Sequence, residues 1–249
     1  MQIRRFTNPE TLAAGAAEYI CALAKECIAD HGQFTLVLSG GSTPEHIFRQ
    51  LVNESLEHRL DWPKVAIFWG DERCVPPDHK LSNYRMARQA LFDHVPIPSA
   101  NIHRMACEGD PAAGADTYEG LLRREFPGQP WPQFDLVLLG LGDDGHTASI
   151  FPGTAILAEK ERWVAPVYVP QLDSWRISLT LPTINAAAQI TFLVIGEGKA
   201  AIVREILESP SPDPIYPAQR IRPQTKLIWF LDRAAGSLLD PSVYPCIEA

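Results

Sequence analysis

Residues 134–153 read FDLVLLGLGDDGHTASIFPG, and this stretch decides the fold class. The run DLVLL at 135–139 is short and almost wholly apolar. A strand of that kind has both faces covered, as in a parallel sheet lying between layers of helices. Gly140, Gly142 and Gly145 come next. Glycines in such a place allow a tight turn and let the backbone approach a ligand closely. Asp143, Asp144 and His146 sit among them, so an imidazole beside carboxylates is carried just past the carboxyl end of a buried strand. Open α/β sheets place their chemistry at that edge.

The same order of strand, glycine turn and helix recurs upstream. Residues 8–31 have Asn8 as a cap, Pro9 in the first turn, and Leu12, Ala16, Tyr19, Ile20, Leu23 and Ala24 on one stripe before Gly32, which predicts a helix. Residues 34–38 are a strand that runs into SGGSTPE at 39–45. Ser42 and Glu45 are spaced as a capping box, Pro44 suits a first turn, and Ile47, Phe48, Leu51 and Val52 continue at helical spacing. Free backbone N–H groups and the positive end of a helix dipole meet there, so the loop favours a phosphate or carboxylate. Residues 65–69 are a second buried strand, ending in Gly70, Asp71, Glu72 and Arg73 and an irregular loop with Pro76 and Pro77. Residues 83–92 and 112–126 are predicted helices.

Downstream, residues 163–169 and 176–179 predict a hairpin-like pair of strands. Residues 188–195 are strand-like, Gly196 and Gly198 interrupt, and 199–207 form a helix. Five prolines in 208–224 predict a surface loop folding over the site, and 227–231 is the last strand. Repeated strand and helix alternation predicts a mostly parallel α/β sheet with helices on both faces. Loops leaving the carboxyl ends of its strands share one edge, which brings 39–45, 70–85 and 140–153 together.

Composition narrows the partners. At 249 residues with 46% hydrophobic side chains the chain can build a large core, and one domain is the default. A net charge of -8 with no basic run argues against nucleic acid or an anionic membrane as the main partner. Cys21, Cys27, Cys74, Cys107 and Cys246 include no CxxC pair, which suggests reduced thiols in a cytoplasm rather than a disulfide framework or a zinc site. No apolar run approaches membrane-spanning length, and the N-terminus has no signal-peptide pattern.

His146 is the candidate base, because a base needs an orienting partner and Asp144 stands beside it. A turn histidine taken alone is as readily structural as functional. No second His or Cys lies nearby at ligand spacing, so no metal is expected at this site. Gly40, Gly41, Ser42 and Thr43 form neither a Walker A loop nor a GxGxxG fingerprint. Asp71, Glu72 and Arg73 would ordinarily be a solvated cluster, but their place after an apolar strand makes Arg73 a candidate anion or oxyanion contact. Arg176 and Lys199 are phosphate candidates if the fold brings them to the Ser42 loop. Trp69, Trp175 and Trp229 read as core or pocket wall.

Taken together, LSGGSTP at 38–44, GDER at 70–73, SNY at 82–84 and GLGDDGHTASIFP at 140–152 resemble the 6-phosphogluconolactonase family. The likeness continues through RISLT at 176–180, GKA at 198–200, PA at 217–218 and DRAA at 232–235, and so spans nearly the whole chain. It implies a single domain over 1–249 with a three-layer α/β/α, Rossmann-like sheet, similar to glucosamine-6-phosphate deaminases and to sugar-phosphate isomerase and CoA-transferase-like proteins. The implied activity is hydrolysis of 6-phospho-D-glucono-1,5-lactone in the oxidative pentose phosphate pathway, with no cofactor and no metal.

On that resemblance His146 would activate water, Asp144 would hold its tautomer and Arg73 would stabilise the oxyanion. Gly40, Gly41, Ser42, Thr43, Asp71, Arg176 and Lys199 would bind the phosphorylated substrate. The expected partner is a small phosphorylated sugar lactone, bound by a cytoplasmic monomer or homodimer. The rival readings are a glucosamine-6-phosphate deaminase and a non-catalytic sugar-phosphate sensor. In the deaminases the corresponding segment resembles GHIAFNEP, whose glutamate moves protons, and here Phe151 stands in its place. A sensor should have lost its base, yet His146 and Asp144 are both present. Ile150 replaces the usual leucine, a volume-conserving change.

Overall fold

A computed structural model describes residues 1–53, 60–209 and 214–243. It begins with a strand absent from the sequence reading, β1 (Gln2–Phe6), which pairs in parallel with the last strand. Two adjacent arginines hide it, and it lies at the sheet edge where only one side needs pairing.

Helix α1 (Pro9–His31) starts and stops as expected. The Asn8 side chain accepts from Thr11 N–H at 2.8 Å, Thr11 Oγ1 accepts from Asn8 N–H at 3.2 Å, and Gly32 closes the helix at φ 86°. Such a cap contributes about 1 kcal/mol. Strand β2 (Phe34–Leu38) is buried throughout and leads into α2 (Ser42–Leu51). Here the capping expectation fails. The N-cap is Gly41 at φ 104°, no side chain caps the helix, and Ser42 is already its first residue. The positive-φ glycine starts the helix one residue early, which moves the Ser42 hydroxyl out of the cap position.

Strand β3 (Val65–Trp69) follows, then β4 (Asp71–Arg73), which the sequence places at the end of the preceding strand and which instead forms a separate strand in a second sheet. Helix α3 (Asn83–Ala90) stops two residues before the expected end, and α4 (Pro111–Glu125) matches its expectation to within a residue. After β5 (Leu136–Leu139), the hairpin β6 (Val164–Val169) and β7 (Ser174–Leu179) forms as expected. Then come α5 (Leu181–Asn185), β8 (Gln189–Val194), α6 (Ala200–Glu208) and β9 (Lys226–Asp232). Of the proline-rich segment, residues 210–213 lie outside the described residues. Pro217–Arg220 is a 3-10 turn, with Pro217 and Ala218 buried, rather than free surface loop.

Six strands form one parallel sheet in the order β1-β9-β8-β5-β2-β3, flanked by helices. Three more form an antiparallel sheet, β4-β7-β6, and buried side chains of both sheets belong to one continuous core. Trp69 and Trp229 are fully buried in it, whereas Trp175 is half exposed with its ring against Tyr168, and so belongs neither to the core nor to the wall of the cavity described below.

The strand order sets the position of the site. From β2 the chain moves outward to β3, and from β5 it moves the other way to β8, so direction reverses between the neighbours β2 and β5. Loops leaving the two strands diverge and open a crevice at their carboxyl ends. Leu36 pairs with Leu136 and Val37 with Val137, which sets the 39–42 loop beside the 140–147 loop.

Candidate active site

A cavity of 290 Å³ opens at that crevice. Gly40, Gly41, Ser42, Thr43, Asp71, Arg73, His146, Arg176 and Lys199 all line it. Of the residues given a catalytic or substrate-binding role from the sequence, Asp144 alone is not part of the lining.

His146 is held from three sides. Its Nδ1 lies 2.5 Å from Asp144 Oδ1, and the same oxygen accepts the His146 backbone N–H at 3.1 Å. The ring stacks on Phe151, centroids 3.9 Å apart and planes inclined by 22°. Gly142 N–H donates to His146 O at 2.9 Å, which closes the turn. A Cβ on Gly142 would lie 2.0 Å from His146 Nδ1 and 2.8 Å from Asp144 Oδ1, so only glycine leaves room for the pair. Partial burial works to raise the Asp144 pKa, but hydrogen bonds from the His146 ring and backbone outweigh it and hold the carboxyl below its usual range. An ionised carboxylate only accepts, so Nδ1 carries a proton, and in the neutral imidazole this tautomer leaves the lone pair on Nε2.

The turn is fixed from outside by the proline-rich segment. Ala218 N–H donates to Gly145 O at 3.0 Å, and Tyr216 covers Gly145 so closely that a Cβ there would lie 2.6 Å from its ring. The expected cover thus acts as a brace for the histidine turn.

The second sheet supplies the cations. Arg73 on β4 and Arg176 on β7 are directly paired across the ladder. Like charges set opposite each other repel. Both guanidinium Nε atoms are buried and without a hydrogen-bond partner among the described residues. Asp71 offsets part of the charge: its Oδ2 is 3.9 Å from Arg176 and accepts from Ser149 Oγ at 2.5 Å. Burial lowers the Arg176 pKa, Asp71 works against that shift and Arg73 adds to it. Arg73 Nη1 donates to Leu81 O at 2.6 Å. The Asp71 carboxylate is therefore engaged in orienting Ser149 and Arg176.

Opposite this wall, the N-terminus of α2 presents its first N–H groups without a capping side chain. Lys199 Nζ is paired with Asp143 Oδ1 at 2.5 Å at the cavity rim.

Several residues escaped the sequence reading. Glu72 is buried and accepts four hydrogen bonds: Oε1 from Arg73 N and Asn83 N, each at 2.8 Å, and Oε2 from Tyr84 N at 2.8 Å and Ser82 Oγ at 3.1 Å. It folds the 74–82 loop back and anchors the start of α3. Burial raises its pKa, opposed by the N–H donors of Asn83, Tyr84 and Arg73. Asn83 donates to Asp71 O at 2.9 Å and crowds Gly40, where a Cβ would lie 1.9 Å from its Oδ1. The one signal in the sequence was an acid three residues past a buried strand, followed by SNY.

Comparisons with known proteins show what the chain as a whole is similar to. Residues 7–229 match the family described as glucosamine-6-phosphate isomerases/6-phosphogluconolactonase. The chain is 43% identical to the 6-phosphogluconolactonase of Synechocystis over 96% of its own length and 99% of that protein's. It is 38% identical to the human 6-phosphogluconolactonase, covering 94% and 92%. The solved 6-phosphogluconolactonase from Trypanosoma cruzi superposes with a TM-score of 0.85 at 31% identity, over 96% of each chain. A monomeric glucosamine-6-phosphate deaminase is 23% identical with a TM-score of 0.80, a likeness of fold alone. With the cavity at the sheet reversal and matches over almost its whole length, the chain belongs to the 6-phosphogluconolactonase family within the glucosamine-6-phosphate isomerase/6-phosphogluconolactonase group.

Proposed function

We propose that the chain hydrolyses 6-phospho-D-glucono-1,5-lactone to 6-phospho-D-gluconate. The carrying observation is that His146, bound through Nδ1 to Asp144, shares one cavity wall with the directly paired Arg73 and Arg176. His146 Nε2 takes a proton from water as its oxygen attacks the lactone carbonyl carbon. The tetrahedral oxyanion is stabilised by Arg73. Collapse breaks the bond to the ring oxygen, which receives the proton from His146, and the product acid ionises. The phosphate is held by the N-terminus of α2 at Gly41, Ser42 and Thr43, with Gly40 allowing close approach. Arg176 completes this site, and Lys199 joins by exchanging Asp143 for phosphate.

Phe151 argues against deamination, since it is buried under the imidazole where the deaminases would carry an acid. The test is prompt assay of fresh lactone, corrected for spontaneous hydrolysis, against glucosamine 6-phosphate. The lactone should be turned over and the amino sugar should not. His146→Ala should lose at least about a hundredfold in rate while staying folded. Wild-type turnover in that variant, or deamination by the parent, would sink the proposal.

A further inference from the structure

The opposite edge of the parallel sheet, where β2 and β5 begin, carries a second cluster of reactive side chains. We propose that Cys27, His31 and Asp135 bind one divalent transition-metal ion of the zinc class. Their ligand atoms all lie within 4.8 Å of one another, and His31 Nε2 is 3.1 Å from an Asp135 carboxylate oxygen. None of the three lines the catalytic cavity.

Each ligand is presented by a definite element. Cys27 and His31 are four residues apart on the last turns of α1, hence on one helix face. Asp135 stands just before β5, and its two oxygens have separate duties. Oδ2 accepts from Thr35 N–H at 2.7 Å and from Thr35 Oγ1 at 2.8 Å, while Oδ1 turns to His31. A ligating carboxylate held by outer hydrogen bonds in this way is the usual support of a metal site.

The donor set selects the ion. One sulfur, one nitrogen and one oxygen suit zinc and its neighbours, not magnesium or calcium. Zinc bonds of about 2.0–2.3 Å place tetrahedral ligand atoms about 3.3–3.7 Å apart, so small side-chain rotations close the site. Three protein ligands leave a fourth position for water, and the His31 side chain is 44% exposed, which provides entry. Metal binding replaces the thiol proton, which leaves to solvent, and the thiolate and carboxylate then balance the dication. Glu26 and Asp30 lie close enough to Cys27 to add negative potential. The carboxyl end of α1, whose last residue is His31, favours a cation as well. A bound ion would tie that helix end to β5 and, through Thr35, to β2.

The experiment uses the full chain, stripped with a chelator and titrated with Co²⁺ and then Zn²⁺. One equivalent of Co²⁺ should bring up a near-ultraviolet thiolate-to-cobalt absorption band that Zn²⁺ removes. Zn²⁺ at a hundredfold excess over its Kd should raise Tm by about 5 °C or more. Both effects should vanish in Cys27→Ser and in His31→Gln, the latter an exposed position whose change leaves the fold intact. A band that persists in Cys27→Ser would place the metal on another thiol and overturn the proposal. So would metal-free behaviour of the parent protein, with neither band nor Tm shift.

Discussion

Gly142→Ala is the sharpest test of how the histidine turn works. The backbone tolerates alanine there, because Gly142 is not among the positive-φ glycines. The conflict is therefore steric and local: the new Cβ would lie 2.0 Å from His146 Nδ1, 2.2 Å from its Cε1 and 2.8 Å from Asp144 Oδ1. Ordinary contact requires about 3.5 Å or more between carbon atoms, so the imidazole must retreat by more than about 1 Å. Its backbone cannot follow easily, since His146 O accepts from Gly142 N–H at 2.9 Å. The ring would leave Asp144 and lose the tautomer with a free Nε2. A displacement of that size costs about a hundredfold in rate, equivalent to about 2.7 kcal/mol of barrier. The loop lies at the surface, so the fold should lose only about 1–3 kcal/mol. The loss should fall on kcat, because the α2 loop and the arginine pair are untouched. Prompt lactone kinetics beside a Tm measurement read both quantities. Gly109→Ala, where a Cβ meets nothing within 4 Å, serves as the control. A folded Gly142→Ala protein with parental kcat would refute the steric argument.

Arg176→Ala should raise KM for the phosphorylated lactone by about 10–100-fold, the worth of a hydrogen bond to a charged group, and an unchanged KM would remove Arg176 from the phosphate site. Glu72→Ala should destabilise the protein by about 3–5 kcal/mol in chemical denaturation, because four donors lose a buried acceptor; a loss under about 1 kcal/mol would mean that water replaces the carboxylate at no cost. Asp144→Asn should show a pH-dependent stability difference. The folded Asp144 pKa is lowered, so its contribution is fully present above the ordinary carboxylate pKa and disappears as pH falls through the folded value. The Tm gap between parent and Asp144→Asn should accordingly close in acid, and a gap constant across that range would remove the His146 pair as its source.

What the sequence by itself determined was local. The apolar run at 135–139, the glycines behind it and the Asn8 cap each act within a few residues, so parallel strands, turns and helix starts were readable, as was the pairing of His146 with Asp144 two residues away. Where a local rule had two outcomes it misled: a positive-φ Gly41 displaced the Ser42 cap, and an edge strand with two arginines went unseen. Only the tertiary structure decided the rest. Strand order created the crevice between β2 and β5, and antiparallel pairing set Arg73 opposite Arg176. Burial turned Glu72 from an apparently solvated acid into the anchor of α3, and a carboxylate far along the chain joined Cys27 and His31. Those outcomes depend on contacts between distant segments and on the dielectric they share, neither of which any short window of residues contains.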